Sequence, residues 1–215
     1  MRDFLDTLAE DRVIAVVRAP ELPDAAALAT ALVAGGVPWI EFTYTTPGLP
    51  AHLRDAASVP GCHLGAGTVL TAAQAEAAIE AGATYLVTPG CREEVARVAA
   101  ASHVPLIMGA FTPTEVARAL DLGVTAIKIF PAHSLGPRYF KDLNGPYPGA
   151  PLIASGGINP TNAPHFLTSG AHAVCAGSDV VPANTVAAGD WPDITRRAKE
   201  FVAALGNPIP LPSLR

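Results

Sequence analysis

The residues best suited to chemistry in this chain are Lys128 and Glu41, because each interrupts an apolar segment. Only three lysines occur, and Lys128 lies within AIKIFP at 126–131, whereas Glu41 lies within WIEFT at 39–43. Burying an ammonium or a carboxylate costs several kcal/mol unless the group is paired or neutralised. A buried lysine that gives up its proton is a nucleophilic amine, which Schiff-base chemistry on a carbonyl requires.

Strand alternation determines whether these two groups can meet. A period of two places Lys128 on one face with Ala126 and Phe130, and Glu41 on one face with Trp39 and Thr43. If both faces point into a barrel, Glu41 approaches Lys128 and is a candidate general acid and base. A structural ion pair needs the same geometry, and a lysine at a strand end can instead reach water, so these alternatives stay open.

Two glycine-containing segments near the C-terminus have the composition of an anion site. SGGINP occupies 155–160 and AGSD occupies 176–179. Glycines allow backbone N–H groups to approach an oxyanion, and Asn159-Pro160 has the pattern of an N-cap followed by proline at the first helical position. Because helix N-termini attract phosphate, we predict phosphate binding by Gly156, Gly157, Gly177 and Ser178.

Other polar residues near predicted strand ends are weaker candidates. Arg18 ends an apolar strand and could hold a carboxylate with two hydrogen bonds, or form a surface salt bridge. The segment GAGT at 65–68 could present Thr68 to a carboxylate, or be a junction that needs glycine. His133 is assigned to a loop outside the chemistry.

Composition excludes several classes of protein. The net charge is −5 with no run of lysine or arginine, so no nucleic-acid partner is expected. No secretory signal or apolar stretch of about 18 residues occurs, so we expect a cytoplasmic protein without a membrane partner. The histidines lack ligand spacing, and we expect Cys62, Cys91 and Cys175 to be buried thiols, so no metal or cofactor is predicted.

The elements that must position these residues alternate along the chain. Eight β-rich segments recur about every 20 to 26 residues, with alanine-rich helical segments between them. The predicted strands are 13–18, 38–43, 63–68, 84–88, 105–109, 125–130, 151–155 and 172–177. This pattern predicts a single α/β domain over residues 1–205, a (β/α)8 TIM barrel with a leading helix, and a proline-rich tail at 206–215. An open doubly wound sheet is the alternative.

The chain resembles the class I 2-keto-3-deoxy-6-phosphogluconate (KDPG) and 4-hydroxy-2-oxoglutarate (KHG) aldolases over roughly residues 10–205. The matching segments, in family order, are ALVAGGV at 31–37, IEFT at 40–43, GAGTVL at 65–70, VTPG at 87–90, IKIFPA at 127–132, GP at 136–137, SGGIN at 155–159 and AGSDVV at 176–181. The resemblance implies a barrel, usually a homotrimer, that cleaves KDPG to pyruvate and glyceraldehyde 3-phosphate.

The resemblance also implies site roles. Lys128 would form the Schiff base, Glu41 would transfer protons, and the glycines and serine named above would hold the phosphate. Contacts with the rest of the substrate are expected from Arg18, Thr43, Thr68, Pro89, Phe130 and Ser155.

One departure from the family pattern bears on the substrate. Some members have an arginine four residues after the glutamate, where this chain has Thr45, and we expect Arg18 to hold the carboxylate instead. Because the related phosphogalactonate aldolases share the strand-1 arginine, a galactonate-derived substrate is an alternative. Two further alternatives are an isomerase that uses Glu41 and Lys128 without a covalent step, and a barrel that only binds a phosphorylated metabolite.

Overall fold

Eight parallel strands close into a barrel in the computed structural model, which describes residues 4–206. Each strand pairs with the next one along the chain, and β8 pairs with β1. The strands are β1 (Val13–Val17), β2 (Trp39–Thr43), β3 (His63–Gly67), β4 (Tyr85–Val87), β5 (Leu106–Ala110), β6 (Ala126–Ile129), β7 (Leu152–Ser155) and β8 (Ala173–Ala176). This topology confirms the predicted (β/α)8 barrel.

Helices surround the barrel. They are α1 (Phe4–Asp11), α2 (Ala25–Ala34), α3 (Leu49–Ala56), α4 (Ala72–Glu80), α5 (Glu93–Ala101), α6 (Pro113–Asp121), α7 (Arg138–Asn144), α8 (Ala163–Thr168), α9 (Ala183–Ala187) and α10 (Trp191–Ala204). Within residues 4–206, no helix is both long and apolar enough to cross a bilayer. The predicted tail at 206–215 lies outside the described residues except for Gly206.

Side-chain caps explain several helix starts. The Asp24 side chain accepts a hydrogen bond from the Ala27 N–H, so α2 begins directly after Asp24. Thr112 and Glu115 form a reciprocal capping box at the start of α6. These caps satisfy N–H groups that the first helical turn leaves without partners.

The barrel interior is filled from the bottom by aromatic side chains. Trp39 stacks on His63 with ring centroids 4.1 Å apart, and Phe4 of α1 meets Trp39 edge-on at 4.9 Å. The indole N–H of Trp39 donates to the Asp11 carboxylate at 2.8 Å, which ties α1 across the barrel floor. The predicted leading helix therefore closes the bottom of the barrel, and polar chemistry is left to the opposite end.

Two interior positions of strand β3 are glycines, so side chains from neighbouring strands fill the space beside its backbone. A Cβ atom at Gly65 would overlap the Tyr85 ring, and a Cβ atom at Gly67 would overlap the Glu41 carboxylate. Both glycines are buried. The glycines of GAGT thus provide the volume that Tyr85 and Glu41 occupy, which is a packing role rather than a turn role.

Candidate active site

Lys128 and Glu41 meet inside the barrel. Nζ of Lys128, on β6, lies 3.4 Å from each carboxylate oxygen of Glu41, on β2. Lys128 is 7% exposed and Glu41 is 1% exposed. This is the arrangement that strand alternation predicts. A buried pair of this kind keeps both charges compensated, and only the lysine side has access to solvent.

A glycine on β5, next to Lys128, makes room for the loop that follows β4. On β5, Gly109 is the register partner of Lys128. A Cβ atom at Gly109 would overlap the Pro89–Gly90 peptide, so glycine is what lets this loop cross β5. The Thr88 hydroxyl stabilises the contact between this loop and β5. It donates to the Gly90 carbonyl at 2.8 Å and accepts from the Gly109 N–H at 3.1 Å.

A cavity of about 310 Å³ opens above Lys128 at the C-terminal ends of the strands. It brings together eight of the twelve site residues predicted from sequence: Arg18, Lys128, Phe130, Ser155, Gly156, Gly157, Gly177 and Ser178. The Phe130 ring forms part of its wall, with Nζ of Lys128 5.7 Å from the ring centroid. An amine at the base of a partly apolar cavity, backed by a carboxylate, can attack an electrophilic carbon and exchange protons with its neighbour.

Burial dominates the electrostatics next to the pair. Burial raises the pKa of the Cys175 thiol to about 11, against a smaller lowering by Lys128, so Cys175 stays protonated at neutral pH. Burial, followed by the negative charge of Glu41, raises the pKa of Tyr85 well above its usual value. Both groups are therefore neutral at pH 7 and add no charge next to the Lys128–Glu41 pair.

The loop after β7 is shaped by two consecutive glycines in left-handed conformations. Gly156 has φ of 94° and Gly157 has φ of 70°. A Cβ atom at Gly157 would lie 2.6 Å from Cβ of His133, and the His133 N–H donates to the Gly156 carbonyl at 3.1 Å. Glycine is therefore required here by conformation and by close packing against the loop after β6. His133 is exposed and lies in that loop, as expected.

The predicted helix start at Asn159-Pro160 is wrong. Helix α8 begins at Ala163, because the Asn159 side chain accepts from the N–H groups of Thr161 and Asn162 at 3.0 Å and forms a turn of its own. The Asn162 amide then donates to the Gly157 carbonyl at 2.9 Å. The two asparagines hold the glycine loop against the following turn.

Comparison with known proteins places this geometry in a family. A family profile described as KDPG and KHG aldolase matches residues 5–197. The 2-dehydro-3-deoxy-phosphogluconate aldolase of Treponema pallidum is 35% identical over 211 residues, which cover 96% of this chain and 99% of that protein. The chain belongs to the KDPG and KHG aldolase family.

Two solved structures are similar to this aldolase. The KDPG aldolase of Legionella pneumophila, with pyruvate captured as a covalent carbinolamine, is 32% identical with a TM-score of 0.85, over 93% of this chain and 98% of that one. The Zymomonas mobilis ZM4 enzyme, with 3-phosphoglycerate, is 34% identical with a TM-score of 0.84, over 93% and 95% of the two chains. As a member of this family, the protein is a carbon–carbon lyase.

Four predicted residues of the aldolase do not line the cavity. Glu41 does not line the cavity itself but contacts Lys128, which does. Thr43 is fully buried and donates to the Val17 carbonyl at 2.9 Å. Thr68, with φ of 57°, and Pro89 are half-buried in the loops after β3 and β4. The expected substrate contacts from Thr43, Thr68 and Pro89 stay predictions.

Several cavity residues were not singled out from sequence. They are Val16, Ile158, Cys175, Asp179, Val181 and Ala183. Cys175 was expected to be buried and is, but Cys62 and Cys91 are only half-buried. A usable signal existed for Asp179, because it directly follows Ser178 in the AGSD segment that was predicted to bind phosphate.

Proposed function

We propose that this aldolase cleaves KDPG to pyruvate and glyceraldehyde 3-phosphate through a Schiff base on Lys128. The observation that carries the proposal is the buried Lys128–Glu41 pair, with Nζ 3.4 Å from each carboxylate oxygen, at the base of the cavity. A structural ion pair has no need of a cavity above its lysine. Pyruvate forms a covalent carbinolamine in the Legionella pneumophila relative, which favours a covalent step over a non-covalent isomerase.

The first half of the proposed reaction is imine formation. A proton passes from the Lys128 ammonium to Glu41, and because the pair has zero net charge before and after, no net charge enters the barrel. The neutral amine attacks the C2 ketone and forms a carbinolamine. Glu41 returns a proton to the departing hydroxyl, water leaves, and the nitrogen becomes a protonated iminium.

The second half is carbon–carbon cleavage. Glu41, directly or through a water, takes the proton of the C4 hydroxyl. The C3–C4 electron pair moves into the iminium, which releases glyceraldehyde 3-phosphate and leaves a pyruvate enamine. A proton returned to C3 regenerates an iminium, and its hydrolysis frees pyruvate and Lys128. The protonated imine is the electron sink for this step.

The phosphorylated substrate is proposed on the loops after β7 and β8. Gly156, Gly157, Gly177 and Ser178 form one side of the cavity, and glycines without side chains let backbone N–H groups come close to an anion. The curated relatives named for gluconate favour KDPG over the galactonate-derived alternative. KHG is proposed as a secondary substrate because it shares the pyruvate half.

Trapping tests the function directly. Incubation with pyruvate and borohydride should reduce the imine to a stable secondary amine, and mass mapping should place it on Lys128. An adduct on another residue contradicts the proposed mechanism. An active preparation that gives no adduct contradicts it as well and favours acid–base chemistry without a covalent step.

Arg18→Ala is expected to lower kcat/KM for KDPG. Arg18 is exposed, lines the cavity and has no ion-pair partner within the described part of the chain. A charge-assisted hydrogen bond to the substrate carboxylate contributes roughly 1.5 to 3 kcal/mol, so the loss should be about 10- to 150-fold. The same loss should appear with pyruvate in the synthetic direction, because the carboxylate belongs to the pyruvate half.

The matched control for that experiment is Arg97→Ala. Arg97 is an exposed arginine of α5 that lies 3.6 Å from Glu93, away from the cavity. Wild-type kinetics in folded Arg18→Ala would show that the carboxylate is held by other groups, such as Thr68 and the backbone.

We also propose a homotrimer that acts in the cytoplasm. The trimer rests on the family resemblance, supported by a chain that is 50% hydrophobic and only 15% charged. The location rests on the chemistry of the substrate, since phosphorylated sugar acids do not cross membranes unaided.

A further inference from the structure

Asp179 is an acidic residue in the wall of a cavity that is otherwise suited to anions. It belongs to the loop after β8, directly after Ser178, and it lines the cavity together with Gly177 and Val181. Its carboxylate has no hydrogen-bond or ion-pair partner among residues 4–206. The group is half-buried, so part of its hydration is already lost. Its charge therefore acts on whatever occupies the cavity.

Arg18 is a positively charged residue of the same cavity wall, but it is not paired with Asp179. Arg18 directly follows β1, Asp179 lies three residues beyond the end of β8, and these two strands are paired neighbours in the barrel. No ion pair joins them in the described part of the chain. The rim of the cavity thus has a positive position at β1 and a negative position at β8. This polarity suits a ligand with a carboxylate at one end.

The loops proposed to hold the distal end of the substrate contain Asp179. A carboxylate beside a phosphate dianion repels it, whereas the same carboxylate accepts a hydrogen bond from a hydroxyl group. We infer that Asp179 is a specificity-determining residue, which weakens binding of a charged distal group and favours an uncharged, hydroxylated one. The aldolase would then accept unphosphorylated polyhydroxy aldehydes beside phosphorylated ones. This inference rests on the proposed function and refines its substrate class.

The test compares three aldehydes with pyruvate in the synthetic direction. Glyceraldehyde 3-phosphate and glyceraldehyde share a carbon skeleton and differ in charge, and glyoxylate adds a short anion. Asp179→Asn removes the charge but keeps a carbonyl acceptor. The kcat/KM ratio of glyceraldehyde 3-phosphate to glyceraldehyde should rise on the order of tenfold. The value for glyoxylate should rise as well, by a smaller factor.

A second variant separates charge from hydrogen bonding. Asp179→Ala removes both, so kcat/KM for glyceraldehyde should fall several-fold while the phosphorylated aldehyde still gains. Asp142→Asn is the control, because it removes one exposed charge on α7, 3.8 Å from Arg138 and outside the cavity wall. It should leave the ratio at its wild-type value.

The outcomes for this inference and for the proposed function are distinguishable. An unchanged or lower ratio in Asp179→Asn overturns the inference even when wild-type enzyme is trapped by pyruvate and borohydride at Lys128. Failure of wild-type trapping overturns the proposed function itself. A rise in the ratio for Asp142→Asn as large as that for Asp179→Asn would also sink the inference, since the effect would then come from overall charge.

Discussion

Lys128→Met should abolish aldol cleavage, with kcat reduced on the order of 10⁴-fold or more, because no other lysine among residues 4–206 lines the cavity. Methionine has a similar volume and no nucleophilic nitrogen. Pyruvate and borohydride should leave the variant unlabelled, and a coupled assay for pyruvate release should measure the loss. Lys199→Met, at an exposed position of α10, is the matched control and should retain both labelling and turnover.

Lys128→Met is also expected to lower the free energy of unfolding. Removing Lys128 leaves the Glu41 carboxylate buried without its partner, which costs about 3 to 5 kcal/mol in known cases. Combining Lys128→Met with Glu41→Gln removes the stranded charge and should recover part of the free energy of unfolding, measured by urea titration. Turnover should not recover. If the double variant regains activity, imine formation is not the function of Lys128.

Glu41→Gln is the second substitution with a large expected effect. Glutamine keeps the shape of the side chain but cannot accept and return a proton, and loss of general acid–base catalysis typically costs 10²- to 10⁴-fold in kcat. Pyruvate should still label Lys128 in the presence of borohydride, but more slowly. Exchange of the pyruvate methyl hydrogens with D₂O, followed by NMR, should fall in parallel, because enamine formation and protonation use the same group.

Glu80→Gln provides the control for that substitution. Glu80 is an exposed glutamate at the end of α4, and its replacement changes the net charge by the same amount. A Glu41→Gln enzyme that cleaves and exchanges at wild-type rates would reduce Glu41 to a structural counter-ion. Glu41 would then serve only as the ion-pair partner of Lys128, even if borohydride trapping labels Lys128.

Most of the fold could be predicted because the local and global signals agree. Each predicted strand overlaps an observed one, and period-two alternation placed Lys128 and Glu41 on the interior faces of β6 and β2. Helix starts were less predictable because a side chain that can cap a helix can also form a separate turn. Asp24 sets the start of α2, and the turn at Asn159 moves the start of α8 to Ala163.

The site was less predictable than the fold because its contents depend on loop conformation. Thr43 is in the predicted strand, yet its hydroxyl is committed to the Val17 carbonyl. Asp179 was passed over because one acidic residue in a loop has no periodicity to mark it. Its place in the same cavity wall as Arg18 depends on the fold, which brings β1 next to β8, about 160 residues away along the chain.

The interior glycines of β3 have an evolutionary consequence. The lack of a side chain at Gly65 leaves room for Tyr85, and the lack of one at Gly67 leaves room for Glu41. The residue type at each glycine position therefore depends on one residue of a neighbouring strand. A smaller residue at position 85 would free space for a side chain at position 65, so these two positions can change together. Position 67 has no such freedom as long as position 41 must hold a carboxylate. Substitutions in this lineage should therefore drift together at 65 and 85, while position 67 is closed to every residue that has a Cβ atom.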